Sequence, residues 1–332
     1  MTHNHSAASA LPLPGGRIAL VGNPNVGKSV LFHHLTGQYV VVANYPGTTV
    51  EITQGAARKI PDAIVIDTPG IVAFPSRSED EAVTARVLLS DQLQAVLQVG
   101  DAKNLRRTLH LAVQLAEMRV PQALALNMMD EARAIGLTPD CLRLADTLGI
   151  PVAGTVATRG QGLDSLLTAV RHAAVSPIQL EYPAPLEECL AAAAPLLPES
   201  RIAPRALGLL WLAGDQVVDA WLRERLAPPA LARLETLRQH LASSLSEPAY
   251  TVIQRVREEY VNRLALSVVD PAQTARPGLR IQLSHLTTHP IWGLPILAII
   301  LYALYWFVGV LGAGTLVGLL EKQLFGQVIN PW

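Results

Sequence analysis

Charge is scarce in this 332-residue chain. Asp, Glu, Lys and Arg make up 16% of it, against about 25% in ordinary soluble proteins. The 26 basic residues face 27 acidic ones, a formal charge of −1. The basic surface that non-specific nucleic-acid binding requires is therefore missing. Cysteine is nearly absent as well. Cys141 and Cys189 cannot build a disulfide framework and match no Cys-x-x-Cys metal spacing, which fits a reducing compartment and two ordinary buried or half-buried thiols. Residues 1–16 (MTHNHSAASALPLPGG) have no basic stretch followed by an apolar core, so no cleaved targeting peptide is visible there. They read as a disordered tail, with His3 and His5 inert. Disorder of the whole is excluded, because half of the residues are apolar.

The missing charge is concentrated. Between Arg280 and Glu321 lie 40 residues without Asp, Glu, Lys or Arg, and from Ile291 to Leu320 nearly all are apolar. A membrane-crossing helix needs about 20 such residues, so Ile291 to roughly Gly312 is expected to span a bilayer, with Trp292 near its interface. Arg255, Arg257, Arg263, Arg276 and Arg280 precede this run, while only Lys322 follows it. The positive-inside rule then places residues 1–289 in the cytoplasm.

What is present is most explicit near the start. An apolar strand pattern, Ile18 to Val21, runs into Gly22-Asn23-Pro24-Asn25-Val26-Gly27-Lys28-Ser29, followed by a helical pattern through Val30, Leu31 and Leu35. This is the phosphate loop G-x-x-x-x-G-K-[ST] in the strand-to-helix setting that confirms it. Its glycines let backbone N–H groups close around phosphate oxygens, Lys28 brings a mobile cation to the β and γ phosphates, and Ser29 can ligate Mg2+. Strand-like runs at Ala63–Ile66, Ala95–Val99, Ala123–Leu126 and Val152–Ala157 alternate with amphipathic stretches near 80–90, 105–118, 138–149 and 163–173. That order predicts an α/β domain over 17–175, with a mostly parallel, doubly wound sheet and ligands at the carboxyl ends of its strands.

Two further elements sit at such strand ends. Asp67-x-x-Gly70 supplies a carboxylate for Mg2+ and a small residue that can approach the γ phosphate. Asn127-Met128-Met129-Asp130 selects the base, since guanine offers two N–H donors that one carboxylate can accept together, whereas adenine presents an acceptor at N1. The expected ligands are GTP, GDP and Mg2+.

These strings resemble the five motifs of translation-factor-like small GTPases over residues 17 to about 173. The resemblance implies that Thr49 closes on Mg2+ as the first-switch threonine, with Thr48 beside it as the other candidate. It also implies that Val156-Ala157-Thr158 stands where Ser-Ala-Lys is usual, Ala157 offering its N–H to guanine O6. After Gly70 comes Ile71, where Ras-like enzymes carry a glutamine that orients the attacking water, so intrinsic hydrolysis is expected to be slow. Asn25 looks like the asparagine of potassium-activated GTPases, which implies a K+ that replaces an arginine finger. Asn25, Lys28, Thr49 and Gly70 are the residues expected to carry hydrolysis.

Pro177, Pro183 and Pro185 mark a linker. Residues 186–269 then lack strand alternation and carry helical spacing, as in Val252, Val256, Tyr260 and Leu264, which predicts a small domain of four or five helices over 176–270 with Trp211 and Trp221 in its core. A linker over 271–289 and a membrane segment over 290–332 complete the expected order. That order resembles the amino-terminal part of FeoB-type ferrous iron transporters, most distinctively in Val42-Ala43-Asn44-Tyr45-Pro46-Gly47-Thr48-Thr49-Val50-Glu51 and in His289-Pro290-Ile291-Trp292-Gly293-Leu294-Pro295. Tyr45 and Thr68 depart from the family's usual tryptophan and leucine.

The resemblance implies a helical domain that restrains GDP release, nucleotide-gated passage of Fe2+ across the inner membrane, and partners comprising the guanine nucleotide, the membrane and further copies of the chain. One apolar segment without Cys, Asp or Glu cannot line an ion path, so the chain is expected to be a piece of a larger or split system. A soluble GTPase of ribosome or tRNA maturation shares the nucleotide motifs and stands as the alternative, although it calls for a basic appendage that the charge balance lacks.

Overall fold

The computed structural model describes residues 16–37, 40–46, 48–268, 287 and 293–309. Seven strands form one sheet: β1 (Arg17–Gly22), β2 (Val40–Asn44), β3 (Glu51–Ala56), β4 (Ile64–Asp67), β5 (Leu93–Asp101), β6 (Gln122–Asn127) and β7 (Val152–Gly154). Their spatial order is β2-β3-β4-β1-β5-β6-β7. Neighbours from β4 through β7 run parallel, and β2 and β3 form an antiparallel edge. That edge pair is the part of the sheet that period reading passed over. β2 is mostly exposed and β3 mixes buried with exposed positions, so neither shows the apolar run of a strand covered on both faces.

The central strands do show that run. In β1, Ile18 and Leu20 face one layer while Ala19 and Val21 face the other, and β6 repeats this with Ala123 and Ala125 against Leu124 and Leu126. Helices α1 (Lys28–Thr36) and α6 (Leu163–Arg171) cover the first layer. The second is covered by α2 (Glu79–Leu88), α3 (Leu105–Glu117) and α5 (Cys141–Leu148), with the short α4 (Met129–Ala134) leading out of β6. A strand period of two with helices on both faces is the doubly wound arrangement.

Five helices follow: α7 (Ala184–Ala193), α8 (Pro204–Leu212), α9 (Gln216–Arg225), α10 (Pro228–Ser244) and α11 (Ala249–Val268). Proline opens α8 and α10, at the position where the missing N–H costs nothing. Asp215 caps α9, its Oδ1 accepting from the N–H groups of Val217 and Val218 at 2.9 and 3.1 Å. Trp211 is buried and Trp221 packs partly buried against the same core. The apolar core runs without a break from the second face of the sheet into these helices, and the described residues up to 268 form one compact unit.

A buried ion pair joins α11 to α3. Arg257 Nε donates to Glu117 Oε2 at 2.8 Å with both side chains at most 5% exposed, and the Tyr182 hydroxyl donates to Glu117 Oε1 at 2.6 Å. Burial pushes the Tyr182 hydroxyl well above its ordinary pKa, with Glu117 acting in the same sense and Arg257 opposing.

A second unit holds the helix α12 (Gly293–Tyr305), whose large apolar side chains, among them Leu294, Ile299 and Tyr305, are exposed. Its 13 residues rise about 20 Å, less than the about 30 Å of a bilayer core. No helix among the described residues is long and apolar enough to cross a membrane. The rest of the expected span, from residue 310 onward and at 291 and 292, lies outside the described residues.

Candidate nucleotide-binding site

The phosphate loop leaves the end of β1. Asn25 and Gly27 both take the left-handed conformation, at φ 62° and 88°. At Gly27 a Cβ would stand 2.4 Å from Asn127 Nδ2, so both the turn and the close packing call for glycine. α1 then starts at Lys28 with no side-chain cap and no acid in its first turn, which leaves its N-terminal N–H groups and dipole to a ligand. Pro24, Asn25, Ser29 and Val30 are exposed at this mouth, while Val26 is buried below it. Asn23 is buried and ties the loop to the segment after β4, donating to the carbonyl oxygens of Ile71 and Val72 at 2.9 and 3.3 Å.

The charged groups of this end are incompletely matched. Lys28 is 9% exposed, and the oxygens it reaches by hydrogen bond are the Gly22 and Asn23 carbonyls, both at 3.4 Å. Burial lowers its pKa, and Asp67 acts in the opposite sense. Asp67 closes β4 and accepts the Ser29 hydroxyl on Oδ2 at 2.8 Å, while its buried Oδ1 has no partner. Burial raises this carboxyl against the opposing effects of Ser29, Lys28 and His33. A hydroxyl and a carboxylate side by side, with one carboxylate oxygen orphaned, are hard oxygen donors of the kind that suits Mg2+. Gly70 packs on the loop, where a Cβ would come within 2.9 Å of Pro24. Thr68 turns inward instead and donates to the Leu20 carbonyl at 2.7 Å, so the polar residue at this position is satisfied inside the fold. Ile71 is fully buried in the core and offers nothing to a ligand.

Of the two candidate threonines, Thr48 is engaged in a turn: its hydroxyl donates to the Tyr45 carbonyl at 2.9 Å and accepts from Val50 N–H at 3.3 Å. Thr49 is exposed, and its hydroxyl makes no hydrogen bond among the described residues.

At the base end, Asn127 is 3% exposed and both polar atoms of its amide are engaged. Nδ2 donates to the Val26 carbonyl at 2.9 Å, and Oδ1 accepts from the Thr155 hydroxyl at 3.1 Å and from Ala157 N–H at 3.0 Å. Asn127 is thus the tie that holds phosphate loop and base loop together, and the Ala157 N–H expected at guanine O6 is engaged inside the protein. Met128 takes φ 63° and turns the chain so that α4 begins with Asp130 in its first turn. Asp130 lies 3.6 Å from Arg159 Nη2 and is 28% exposed. Val156 is buried, bonded through N–H to the Gln161 carbonyl at 3.1 Å, and Thr158 is exposed.

Sequence reading missed how the segment after Gly70 is held. Glu81 accepts from Val72 N–H at 3.1 Å and from Arg77 N–H at 2.8 Å. Phe74 N–H donates to Gln114 on α3, and its carbonyl accepts from Gln114 and from Gln254 on α11. Asp215 Oδ2 accepts the Ser76 N–H and hydroxyl at 2.8 and 3.1 Å. Ser78-x-x-Glu81 is a visible capping signal, whereas nothing local to Asp215 or Gln254 points to residues 139 and 180 positions away.

Against known proteins, residues 16–170 match the family described as ferrous iron transport protein B, and residues 182–270 match the FeoB cytosolic helical domain. The chain is similar to the Fe(2+) transporter FeoB of Salmonella typhimurium, 32% identical over 299 residues that cover 87% of this chain and 38% of that protein. It is also similar to an Fe(2+) transport protein A/FeoB fusion protein of Porphyromonas gingivalis, 30% identical over 89% of this chain and 37% of that one. It spans well under half the length of either relative. Among solved structures, NFeoB of S. thermophilus bound to GDP.AlF4- and K+ superposes with a TM-score of 0.63 at 30% identity, covering 76% of this chain and 99% of that one. The same protein bound to mGMPPNP gives 0.64 at 31%, covering 77% and 98%. These matches set aside a ribosome- or tRNA-associated GTPase. With its phosphate loop, guanine motif and five-helix appendage in place, the chain belongs to the FeoB ferrous iron transport family, of which it carries the GTPase and the cytosolic helical domain.

Proposed function

We propose that residues 17–175 bind GTP and GDP with Mg2+, hydrolyse GTP with K+ as activator, and through residues 176–270 regulate Fe2+ passage across the inner membrane in the longer protein. The observation that carries this reading is the buried Lys28 beside an Asp67 whose second oxygen has no partner. Phosphate would meet the first and Mg2+ the second, with Ser29 as the neighbouring ligand. Mg2+ would supply charge neutralisation between the phosphates. Asn25 is exposed and its amide makes no hydrogen bond among the described residues, which leaves its oxygen for K+. Thr49 rather than Thr48 is the first-switch residue, because only its hydroxyl is unengaged. Asp130 reads the guanine edge, and Val156, Ala157 and Thr158 with Met128 border the base.

The segment from Ile71 to Arg77 carries nucleotide state outward, since Asp215 caps α9 with one oxygen and holds Ser76 with the other. The exposed apolar surface of α12 supports a first membrane segment within 290–332 behind the linker 271–289, with residues 1–289 cytoplasmic. GTP turnover is expected to rise at least tenfold when KCl replaces NaCl, and to fall to background in Thr49→Ala but not in Thr48→Ala. Equal rates in both salts would remove K+ from the proposal, and loss only in Thr48→Ala would reverse the threonine assignment. For the base, Asp130→Asn should exchange guanine for xanthine preference, as read by competition of GDP and XDP; unchanged preference would refute the role of Asp130.

A further inference from the structure

His34 stands in the last turn of α1, outside every nucleotide motif. Its Nε2 lies 2.9 Å from the carbonyl oxygen of Ala157, 123 positions away in sequence. A carbonyl only accepts, so the proton of this bond sits on Nε2. The other side of Ala157 is held too, by donation of its N–H to Asn127 Oδ1 at 3.0 Å. Asn127 in turn donates to the Val26 carbonyl. Residue 157 is therefore bracketed by both ends of one rigid piece: the phosphate loop reaches it through Asn127, and the far end of α1 reaches it through His34. The loop reverses immediately afterwards at Gly160, φ 66°, beside the His34 ring.

The helix that carries Lys28 and Ser29 to the phosphates thus also holds the loop that borders the base. A loop gripped on one side only would open more often, and nucleotide would leave through that opening. We infer that His34 is a positioning residue that slows release of guanine nucleotide by pinning the Ala157 carbonyl to α1. The inference rests on the reading that residues 156–158 border the base. His34 touches neither phosphate nor metal, so bond cleavage itself should be indifferent to it.

The test is release of a fluorescent GDP analogue from the full chain in detergent, for wild type, His34→Ala and His34→Gln. In His34→Ala release should be roughly threefold to tenfold faster, equivalent to about 0.6–1.4 kcal/mol, the worth of one neutral hydrogen bond. The association rate and the single-turnover hydrolysis rate should stay at wild-type values, and Tm should fall by no more than the few degrees that one hydrogen bond is worth. His34→Gln, whose amide can donate to the same carbonyl, should recover most of the slow release. Unchanged release in His34→Ala overturns the inference, as does faster release that comes with a larger fall in Tm and is not recovered by glutamine. Asp130→Asn separates the two possible failures. If it switches preference to XDP while His34→Ala releases GDP at the wild-type rate, the inference alone falls; if it leaves the preference for GDP unchanged, the base-site reading falls and takes the inference with it.

Discussion

The two ends of the nucleotide site are built on opposite principles. At the base end Asn127 is buried with every polar atom engaged inside the protein, through Val26, Thr155 and Ala157. At the phosphate end Lys28 is nearly as buried, yet its hydrogen bonds are long, and Asp67 keeps an oxygen with no partner. The difference follows from what each end must recognise. Neutral hydrogen bonds can be completed by the protein itself, so the base loops can be shaped in advance. A polyphosphate with its metal carries charges that only the ligand brings, so the groups awaiting it are desolvated in the fold with incomplete compensation. Substitutions should therefore separate: at the phosphate end they weaken binding while sparing stability, and at the base end they damage both.

The largest effect is expected for Lys28→Ala, which should lower GTP and GDP affinity by about a hundredfold or more, the cost of a desolvated charge-assisted contact. Calorimetric titration would read that loss and thermal unfolding without nucleotide should show no drop in Tm; an equal fall in both would erase the contrast. Next comes Asn127→Ala, expected to destabilise the nucleotide-free chain by about 1–3 kcal/mol because it leaves Ala157 N–H and the Val26 carbonyl unpaired. Denaturant unfolding measures this, and a fully stable variant would show that the base end is not shaped in advance.

The smallest effect concerns Asp67. Burial holds its carboxyl above the ordinary carboxylate range, so its favourable contribution to stability is present at acid pH and is lost as pH rises from the unfolded value through the raised folded one. Asp67→Asn should flatten that part of the stability–pH profile and leave the nucleotide-free Tm at pH 7 unchanged or slightly higher, while Mg2+-dependent nucleotide affinity falls. A lower Tm at pH 7 would place Asp67 among groups that stabilise the fold.

The same contrast explains what was legible beforehand. Gly27, Lys28 and Ser29 are consecutive, and a loop of fixed spacing imposes its geometry on any chain that carries it. Asp67 ends β4 and Asp130 follows the end of β6 by three residues, and the parallel order of those strands brings them to one edge. The antiparallel pair β2–β3 escaped because its faces are wet, and the engagement of Asn127 with Ala157 escaped because its motif describes a ligand contact. Glu117 with Arg257, Ser76 with Asp215 and His34 with Ala157 join residues more than a hundred positions apart. No periodicity or spacing records such a pairing.

What the sequence determined by itself is the chemistry available and its local placement: a phosphate loop, a carboxylate expected at Mg2+, an aspartate expected at guanine, a helical domain over 176–270, and a boundary near residue 280 beyond which only Glu321 and Lys322 carry charge. The tertiary structure alone decided which polar groups satisfy one another and which remain for a ligand. That choice depends on distances between elements that only the packed core sets, and burial decides whether an unmatched group is costly or merely solvated.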